Sequence, residues 1–290
     1  MKIAAIDVGS NSVRLMMWAD GKTLYKRLNT TRLGEGLNRS GAMLPEAIER
    51  TAVAVKEFVG IAERDGADKV YAFATAAVRS SSNKQIFINR VKQTAGIDVE
   101  VISGEREAEI GILGALGNKD GGIIDVGGAS TEITVRNGGR TLYSHSLNLG
   151  TVRLYDAAGR DYKKLEKVIE ERIAEYGEVP CEGAEMFGIG GTATTIASVY
   201  LGLKVYDPNR IQGCKVPASA VKRMAEDFTT LSVESIKKVD GMEPRRADLI
   251  GGGCLLTYKI MKKTGLDSIT VSESDNLEGY VIAKVGANEK

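Results

Sequence analysis

The chain has 290 residues, 43% of them hydrophobic and 27% charged, and a formal net charge of +1. This composition is typical of a soluble globular protein of one or two domains with a sizeable core. No run of 18 apolar residues is present, so we expect no membrane-spanning segment, and the near-zero charge argues against general nucleic-acid binding. A basic stretch that contains Lys22, Lys26, Arg27, Arg32 and Arg39 is either a solvated face or a local patch for a polyanion.

The few cysteine and histidine residues limit the kinds of disulfide, metal site and catalytic triad that the chain can form. Cys181, Cys214 and Cys254 are scattered and form no Cys-x-x-Cys pair, so we expect free thiols in a reducing cytoplasm. The N-terminus enters a strand directly and lacks the apolar region of a signal peptide, which agrees with a cytoplasmic protein. The single histidine, His145, excludes a multi-histidine metal site and argues against a Ser–His–Asp triad.

The hydrophobic pattern of the first 117 residues predicts three strands followed by alternating helices and strands. Apolar residues recur at helical spacing over 45–65, and Ser103 is placed to cap a helix that begins near residue 105. In chain order we predict strands at 3–8, 12–18 and 23–30, a helix at 45–65, a strand at 70–75, a helix at 84–95, a strand at 99–102 and a helix at 105–116.

A linker-like segment at 118–122 separates this half from a second half of similar order. A predicted helix over 245–264 contains Gly251, Gly252 and Gly253, and we expect another backbone or a ligand to approach these glycines closely. The other predicted elements are strands near 123–127, 131–136, 141–149, 186–189 and 269–271, and helices over 162–176, 192–200, 217–228 and 277–284. The predicted domains are lobe I (1–117) and lobe II (118–276), with a C-terminal helix (277–290) packed back on lobe I.

One segment of the chain occurs twice. Residues 6–25 recur at 124–143, 118 positions later, with nine of the twenty residues identical. Each copy reads as an apolar strand that ends in an Asp (Asp7 or Asp125), then a Gly-containing turn, then a second apolar strand. Such a turn offers free backbone N–H groups to an anion, and its Asp can reach a phosphate-bound metal. A single Asp-x-Gly turn is common, whereas two equivalent copies indicate two half-molecules that grip one phosphate chain from opposite sides.

A third glycine-rich motif, residues 188–195, joins a predicted strand to a predicted helix. Its sequence is Gly-Ile-Gly-Gly-Thr-Ala-Thr-Thr. Because the motif leads from a strand into a helix, we expect its glycine amides and the helix N-terminus to point toward one common site. It is either an anion site or a tight packing turn. It is neither a Walker A loop, because no Gly-Lys-Ser/Thr follows, nor a dinucleotide-binding fingerprint, because the glycine spacing differs.

Taken together and in this order, these motifs resemble the actin, heat-shock-protein 70 and sugar-kinase superfamily, and within it the exopolyphosphatase and guanosine pentaphosphate phosphatase family. The resemblance covers nearly the whole chain and suggests a short, two-domain member. It implies an α/β fold of duplicated ribonuclease-H-like (actin-like ATPase) domains, with mixed five-stranded sheets, flanking helices and an active site in the interdomain cleft. The segments that carry the resemblance are 5–15, 32–37, 74–79, 102–108, 124–132, 188–195 and 246–248.

The resemblance also implies an activity and roles for individual residues. Such enzymes release the terminal phosphate of inorganic polyphosphate, or the 5′-γ-phosphate of pppGpp, with magnesium, and a homodimer is expected. Glu107 matches the catalytic glutamate, as base or positioner of the attacking water, and Asp125, Glu132 and Asp7 match or mirror the metal-binding acids. The residues expected to bind phosphate are Gly9, Ser10, Asn11, Ser12, Arg32, Thr75, Arg79, Gly127, Gly128, Ala129, Ser130, Gly190, Gly191 and Thr192.

Two departures from the family pattern bear on substrate preference. Residues 210–213 read Arg-Ile-Gln-Gly where a His-Gly pair is common, and residues 275–279 read Asp-Asn-Leu-Glu-Gly where Gly-Leu-Arg-Glu-Gly is common. In the repeat, Arg14 stands where the second copy has Glu132, and it is either a phosphate contact or part of a structural ion pair.

Two other functions remain open. A sugar kinase or ATPase needs an Asp base and a sugar-binding loop that we do not identify, and Glu107 after Ser-Gly argues against it. A non-catalytic phosphate sensor would not require the acids that are intact here. The choice between polyphosphate and pppGpp depends on a guanosine site that the sequence does not reveal.

Overall fold

The structure is a computed structural model that describes residues 1–288 of the chain, and its strands form two mixed sheets. The strands of the first sheet are β1 (Lys2–Val8), β2 (Ser12–Ala19), β3 (Lys22–Thr30), β4 (Lys69–Ala74) and β5 (Val99–Val101). The strands of the second sheet are β6 (Gly121–Val126), β7 (Thr131–Asn137), β8 (Arg140–Leu147), β9 (Met186–Ile189), β10 (Lys215–Pro217) and β11 (Ser268–Val271).

Helices cover both sheets. They are α1 (Leu37–Ser40), α2 (Pro45–Arg64), α3 (Ala76–Ser80), α4 (Lys84–Ala95), α5 (Gly104–Leu116), α6 (Thr151–Ala158), α7 (Tyr162–Ile173), α8 (Gly190–Tyr200), α9 (Pro208–Ile211), α10 (Ala218–Thr230), α11 (Val233–Ile236), α12 (Ile250–Lys263) and α13 (Asn276–Asn288). No helix in this described part is both long and apolar enough to cross a bilayer.

The two sheets repeat one topology. The first has the order β3-β2-β1-β4-β5, and the second, read from its β8 edge, has the order β8-β7-β6-β9-β11 and then β10. In each, an antiparallel three-stranded meander is extended by two strands that run parallel to its first strand. This duplicated ribonuclease-H-like arrangement confirms the predicted fold class. The three-residue β10 makes the second sheet six-stranded instead of five-stranded, because so short a strand leaves no periodic signal in the sequence.

Several helices differ from the predicted elements. The short helices α1, α3, α6, α9 and α11 were not among the predictions, since four to eight residues carry little helical periodicity. The helix predicted to begin at residue 245 begins at Ile250, after a separate 3₁₀ turn that starts at Pro244. The predicted approach of another backbone is confirmed at Gly251, where a methyl group would lie 3.0 Å from the Phe228 backbone. At Gly253 the near atom is instead a side-chain methyl, that of Thr192 at 2.9 Å.

Helix α5 lies between the two sheets. Its Ile110 belongs to a buried cluster with residues of β1 and β4, whereas Ile112 and Leu116 pack against Ile123 and Ile189 of the second sheet. Because this helix contacts both halves, the domain boundary after residue 117 stays a prediction.

Helix α13 packs on the same face of the first sheet as α5. Leu277 and Val281 are buried there, and the ring of Tyr280 stacks on Phe73 with the centroids 4.4 Å apart. The predicted extent of this helix, 277–290, includes residues 289–290, which lie outside the described part of the chain.

The alternation of side chains along the strands decides where two acids point. The even-numbered residues 4–8 of β1 pack under α2, whereas Ile3 faces α5 and α13 on the other side of the sheet. Because side chains alternate along a strand, Asp7 lies on the same face as Ile3. In β6, Ile123 packs against α5, and Asp125, two residues later, lies on the same face. Both acids therefore lie on the α5 side of their sheets.

Glycines bring α5 and α13 into backbone contact. A methyl group at Gly114 would overlap the carbonyl oxygen of Asp275, and one at Gly279 would overlap the carbonyl oxygen of Ile110. Neither overlap involves a side chain that can rotate away. The contact therefore fixes the start of α13 beside the middle of α5.

Candidate active site

Two loops of the same construction follow the first strand of each sheet. In the loop after β1, the amide of Gly9 donates a hydrogen bond to the carbonyl of Ser12 at 3.1 Å. In the loop after β6, the amide of Gly127 donates to the carbonyl of Ser130 at 3.0 Å. The duplication that the sequence predicts is thus repeated in the hydrogen bonds of both turns.

The strand register carries the same equivalence beyond the loops. Asp7 lies opposite Arg14 across β1 and β2, and Asp125 lies opposite Glu132 across β6 and β7. At this pair of equivalent positions the repeat changes charge: one sheet places a cation opposite its Asp, and the other places an acid.

The two loops approach each other closely. A methyl group at Gly128 would lie 2.9 Å from Ser10 Cβ and 3.1 Å from the amide nitrogen of Asn11. Glycine at position 128 is what allows this approach. Within residues 1–288, the amides of Ser10, Asn11 and Gly128 donate no hydrogen bond, so they remain available to an anion.

A small cavity of about 80 Å³, here called the loop cavity, lies where the loops meet. A larger neighbouring cavity of about 500 Å³, the side cavity, shares Arg14, Gly190, Gly191 and Arg246 with it. Most residues predicted for the site line the loop cavity. They are Asp7, Gly9, Ser10, Asn11, Ser12, Thr75, Glu107, Asp125, Gly127, Gly128, Ser130, Gly190, Gly191 and Thr192.

Asp7 is a buried acid held by an arginine. Arg14 donates to Asp7 Oδ2 from Nη2 at 2.5 Å and from Nε at 3.1 Å, and its Nη1 donates to Asp275 Oδ2. Burial raises the pKa of Asp7, against the opposing effect of the Arg14 charge. Arg14 therefore forms an ion pair with two acids, one from each end of the chain.

Asp125 has a different environment. Asn276 Nδ2 donates to Asp125 Oδ2 at 3.1 Å, so the first residue of α13 orients this carboxylate. A methyl group at Gly190 would lie 2.6 Å from Asp125 Oδ1, and the positive φ of 75° there also favours glycine. Burial and the charges of Glu107 and Asp275 raise the pKa of Asp125 to about 8.

Glu132 lies behind the loop cavity and does not line it. Its Oε1 accepts a hydrogen bond from Ser146 Oγ at 2.6 Å, and the side chain is buried. Burial and the charges of Glu107 and Asp125 raise the pKa of Glu132. Its predicted role as a metal ligand stays a prediction.

Glu107 sits in the first turn of α5. The predicted cap is confirmed, because Ser103 Oγ accepts a hydrogen bond from the amide of Arg106 at 3.1 Å. Arg79 Nη1 donates to Glu107 Oε2 at 2.7 Å and to the carbonyl of Ile102 at 3.1 Å. Burial raises the pKa of Glu107 although the Arg79 charge opposes the shift. Within residues 1–288, Glu107 Oε1 accepts no hydrogen bond.

Within residues 1–288, three buried side-chain oxygens of residues that line the loop cavity accept no hydrogen bond. They are Asp7 Oδ1, Asn11 Oδ1 and Asn276 Oδ1. Such oxygens are suitable ligands for a hard cation, including Mg²⁺. Across residues 1–288, no three acidic, histidine or cysteine side chains are grouped so as to hold a metal by themselves. The donor set fits a cation that is held by one or two carboxylates and completed by water and phosphate oxygens.

Three residues predicted to bind phosphate lie outside the loop cavity: Arg32, Ala129 and Arg79. Arg32, with a φ of 51°, makes a bidentate ion pair with Asp248 at 2.8 and 2.9 Å. The carbonyl of Ala129 accepts a hydrogen bond from Arg153 Nε at 2.8 Å. Arg79 also does not line the cavity, because its side chain is bound to Glu107.

Arg246 lines both cavities although the sequence assigned it no role. A methyl group at Gly191 would overlap the Arg246 guanidinium, so glycine makes room for it. Burial and the nearby charge of Arg14 lower the pKa of Arg246 to about 10. Its guanidinium has neither a hydrogen-bond acceptor nor an ion-pair partner among residues 1–288. A cation without a partner beside unused amides indicates an anion site.

The departures from the family pattern lie beside the site. Counted back from Glu278 and Gly279, the missing arginine corresponds to Leu277, which is fully buried in the core. The neighbouring Asp275 and Asn276 supply the contacts to Arg14 and Asp125 described above. No periodicity or motif in the sequence marks these two residues as part of the site.

Comparison with known proteins agrees with this architecture. The model of the Ppx/GppA phosphatase family matches residues 17–287. The bifunctional 3-dehydroquinate synthase/phosphatase of Fusobacterium nucleatum is 31% identical over 97% of this chain, which spans 46% of that protein. Exopolyphosphatase 2 of Mycobacterium tuberculosis is 29% identical over 98% of this chain and 99% of its own length.

A solved structure gives the same result. The crystal structure of an exopolyphosphatase from Cytophaga hutchinsonii matches with a TM-score of 0.86 and 26% identity, and the match covers 99% of this chain and 98% of that one. The predicted assignment to a hydrolase is confirmed at the level of the family. The chain belongs to the Ppx/GppA phosphatase family.

Proposed function

We propose that this protein is a magnesium-dependent phosphohydrolase that releases the terminal phosphate of inorganic polyphosphate. The observation that carries the proposal is the loop cavity, where unused amides from two glycine loops meet the carboxylate of Glu107. A space of about 80 Å³ beside free N–H donors suits a single phosphate group. The name of the full-length relative, Exopolyphosphatase 2, supports this substrate.

Glu107 is the proposed general base. Its free Oε1 is available to a water molecule, and the raised pKa brings this carboxylate closer to the range in which a base is effective. The water oxygen attacks the terminal phosphorus while a proton passes to Glu107. The bond between that phosphorus and its bridging oxygen breaks, which yields orthophosphate and a chain that is shorter by one phosphate.

The loop amides and Arg246 stabilise the negative charge of the transferring phosphoryl group. Phosphoryl transfer needs little covalent chemistry from a protein, so positioned donors and cations provide most of the catalytic effect. The loops place the amides of Ser10, Asn11 and Gly128 at the loop cavity, and the Arg246 guanidinium, which has no partner among residues 1–288, can bind phosphate oxygens.

Asp7 and Asp125 are the proposed carboxylate ligands of Mg²⁺, with the unpaired oxygens of Asn11 and Asn276 close by. When bound, the cation neutralises phosphate charge and orients the phosphoryl group. Burial is the main cause of the raised pKa values of the two acids, and a divalent cation bound between them would favour their charged forms.

Replacing Asp125 should disrupt this cation site. We expect Asp125→Asn to reduce kcat/KM by at least about 100-fold, because a catalytic metal contributes several kcal/mol, and to raise the Mg²⁺ concentration needed for half-maximal activity. Phosphate release titrated with Mg²⁺ measures both quantities. Asp120→Asn is the matched control, since Asp120 is an exposed acid that accepts hydrogen bonds from the backbone amides of Gly138 and Gly139. Equal activity of the two variants would refute the assignment.

Arg79 is proposed to position Glu107. We expect Arg79→Ala to lower kcat by about 10- to 100-fold with little change in KM, because a charge-assisted hydrogen bond contributes about 1.5–3 kcal/mol. Arg79→Lys should recover part of kcat, since lysine keeps the charge but not the planar guanidinium that reaches both Glu107 and the Ile102 carbonyl. Initial rates at several substrate concentrations separate kcat from KM. A large rise in KM with unchanged kcat would instead mean that Arg79 binds phosphate directly.

The general test of the function is phosphate release from polyphosphates of several lengths, pppGpp, ATP and ADP, with and without Mg²⁺. We expect polyphosphate to be hydrolysed fastest and only with the cation. Fastest turnover of ATP would favour a kinase or ATPase of the same superfamily. No turnover, together with a polyphosphate-dependent rise in Tm, would favour a phosphate sensor. Fastest turnover of pppGpp would favour a guanosine pentaphosphate phosphatase.

We also propose, from the family resemblance, that the protein acts as a homodimer in the cytoplasm. Light scattering in solution tests the dimer, and cell fractionation tests the location.

A further inference from the structure

Residues 31–38, here called the bridging segment, lead from β3 into α1 and pack against the glycine loop that follows β1. The amide of Arg32 donates a hydrogen bond to the carbonyl of Asn11 at 2.8 Å, and the amide of Gly34 donates to the carbonyl of Ser10 at 2.8 Å. A methyl group at Gly34 would lie only 3.1 Å from Ser10 Cβ. The bridging segment therefore supports the loop whose amides face the loop cavity.

The start of the bridging segment is bound to the second half of the chain. Arg32 Nη1 lies 2.8 Å from Asp248 Oδ2, and Arg32 Nη2 donates to Asp248 Oδ1 at 2.9 Å. The same Nη2 reaches the carbonyl of Arg245 at 3.4 Å. Arg245 and Asp248 lie on either side of Arg246 in the chain, and Arg246 is the cation that lines both cavities. The ion pair thus connects the support of one glycine loop to the turn that carries Arg246.

The end of the bridging segment is bound to helix α6. Asp156 Oδ2 accepts a hydrogen bond from the amide of Gly36 at 3.0 Å, and Arg153 Nη1 donates to Asn38 Oδ1 at 2.7 Å. Arg153 Nε also donates to the carbonyl of Ala129, which belongs to the glycine loop after β6. The bridging segment therefore contacts one glycine loop directly and the other through a single side chain.

The backbone of Arg32 is held in a conformation that non-glycine residues seldom adopt. Its φ is 51°, and within residues 1–288 the other non-glycine residue with a positive φ is Asp20, in the turn between β2 and β3. Such a conformation persists only where the surroundings hold it, and it is found most often at functional sites. Here the hydrogen bond to Asn11 and the ion pair with Asp248 hold it.

We infer that the Arg32–Asp248 pair positions the glycine loop after β1 against Arg246, so that Arg32 is a positioning residue and not a phosphate ligand. Neither Arg32 nor Asp248 lines the loop cavity or the side cavity, so the pair acts through the groups that it holds in place. The inference rests on the proposed function for its effect on the rate. Phosphoryl transfer depends on positioned donors, so a small displacement of the loop amides from Arg246 slows it.

The kinetic test compares Arg32→Ala, Asp248→Ala and the double variant with the wild type on polyphosphate. We expect each single variant to lower kcat by about tenfold and to change KM by less than about twofold, because the donors are displaced while the substrate contacts remain. The double variant should be no slower than either single variant, since all three remove the same link. Arg32→Lys should recover part of kcat, because lysine keeps the charge but not the planar guanidinium.

A second ion pair of the same geometry provides the control. Arg90 donates to the two carboxylate oxygens of Glu49 at 2.6 and 2.7 Å, between α4 and α2 and away from both cavities. Arg90→Ala/Glu49→Ala should leave kcat unchanged. The Arg32 and Asp248 side chains are 36% and 15% exposed, so their pair adds little to stability and the variants should keep a Tm near that of the wild type.

Amide hydrogen exchange provides a measurement that does not depend on turnover. The amides of Arg32 and Gly34 are protected by their hydrogen bonds to the glycine loop after β1. We expect both Arg32→Ala and Asp248→Ala to accelerate exchange in the peptide 31–38 by about tenfold, although Asp248 is distant from that peptide in the chain. The control pair should not change exchange there.

The outcomes separate the inference from the proposed function. A large rise in KM for Arg32→Ala at unchanged kcat, with wild-type rates for Asp248→Ala, would show that Arg32 binds phosphate and would overturn the inference alone. Wild-type kinetics in both single variants would also overturn it, as would a double variant that loses as much as the two single variants combined. Absence of turnover by the wild type, with faster exchange at 31–38 in both variants, would support the positioning contact and refute the proposed function.

Discussion

Glu107→Gln should reduce the rate of phosphate release by on the order of 10²–10⁴, which is the usual contribution of a general base. Glutamine keeps the shape of the side chain and the hydrogen bond that Arg79 donates, but its amide cannot accept a proton from water. Substrate binding should be retained or become tighter, because the substitution removes a negative charge from an anion site. Single-turnover rates and calorimetric binding measure the two effects separately.

Glu109→Gln on the same helix is the matched control. Glu109 is exposed and pairs with Arg106 at 3.0 Å on the surface of α5, so the same substitution there should leave turnover unchanged. Undiminished turnover of Glu107→Gln would remove Glu107 from the mechanism. Comparable losses in both variants would indicate an effect on the helix instead of on the chemistry.

Gly279→Ala should destabilise the protein by about 3 kcal/mol or more, which is at or beyond the upper end of ordinary overpacking. The added methyl group would overlap the carbonyl oxygen of Ile110, and helices α5 and α13 would have to separate. Because Glu107 lies on α5 and Asn276 begins α13, activity should fall with stability. Urea unfolding and phosphate release, measured on the same samples, test both expectations.

Gly286→Ala is a control within the same helix. Among residues 1–288, no atom lies within 4 Å of a methyl group at Gly286, and its φ is not positive. Alanine is the better helix former by about 1 kcal/mol, so this substitution should be neutral or stabilising. If alanine lowers the stability at position 279 but not at position 286, then backbone contact, and not helix propensity, explains why glycine is needed at position 279. A neutral Gly279→Ala would contradict the close packing of α5 and α13.

The repeat could be recognised from the sequence because each copy is a short, continuous segment with its own strand and turn pattern. Asp7 and Asp125 each follow an apolar strand and precede a glycine turn, and the spacing of the copies is visible without any contact being known. Alternation along a strand then places both acids on one face of their sheets. The family motifs also predicted a catalytic role for Glu107, although a first-turn acid on a helix carries no signal of catalysis by itself.

Other parts of the site depend on residues that are distant in the chain. Arg32 was expected at the phosphate, but its guanidinium binds Asp248, 216 residues later. From the sequence, Arg14 was either a phosphate contact or part of a structural ion pair, and in the structure it pairs with Asp7 and Asp275. Ion pairs of this kind require a partner from another element, so no local pattern predicts them.

The sequence by itself determined the duplicated fold, the two glycine loops and the family, because strand periodicity, turn chemistry and motif spacing are properties of short segments. Only the tertiary structure decided that α5 lies between the sheets, that Asn276 orients Asp125, and that Arg246, beside two connected cavities, has no partner among residues 1–288. The physical reason is that burial, charge compensation and backbone contact depend on which distant segments meet. In this protein the glycines of α5 and α13 fix that meeting, and both helices contribute residues to the site.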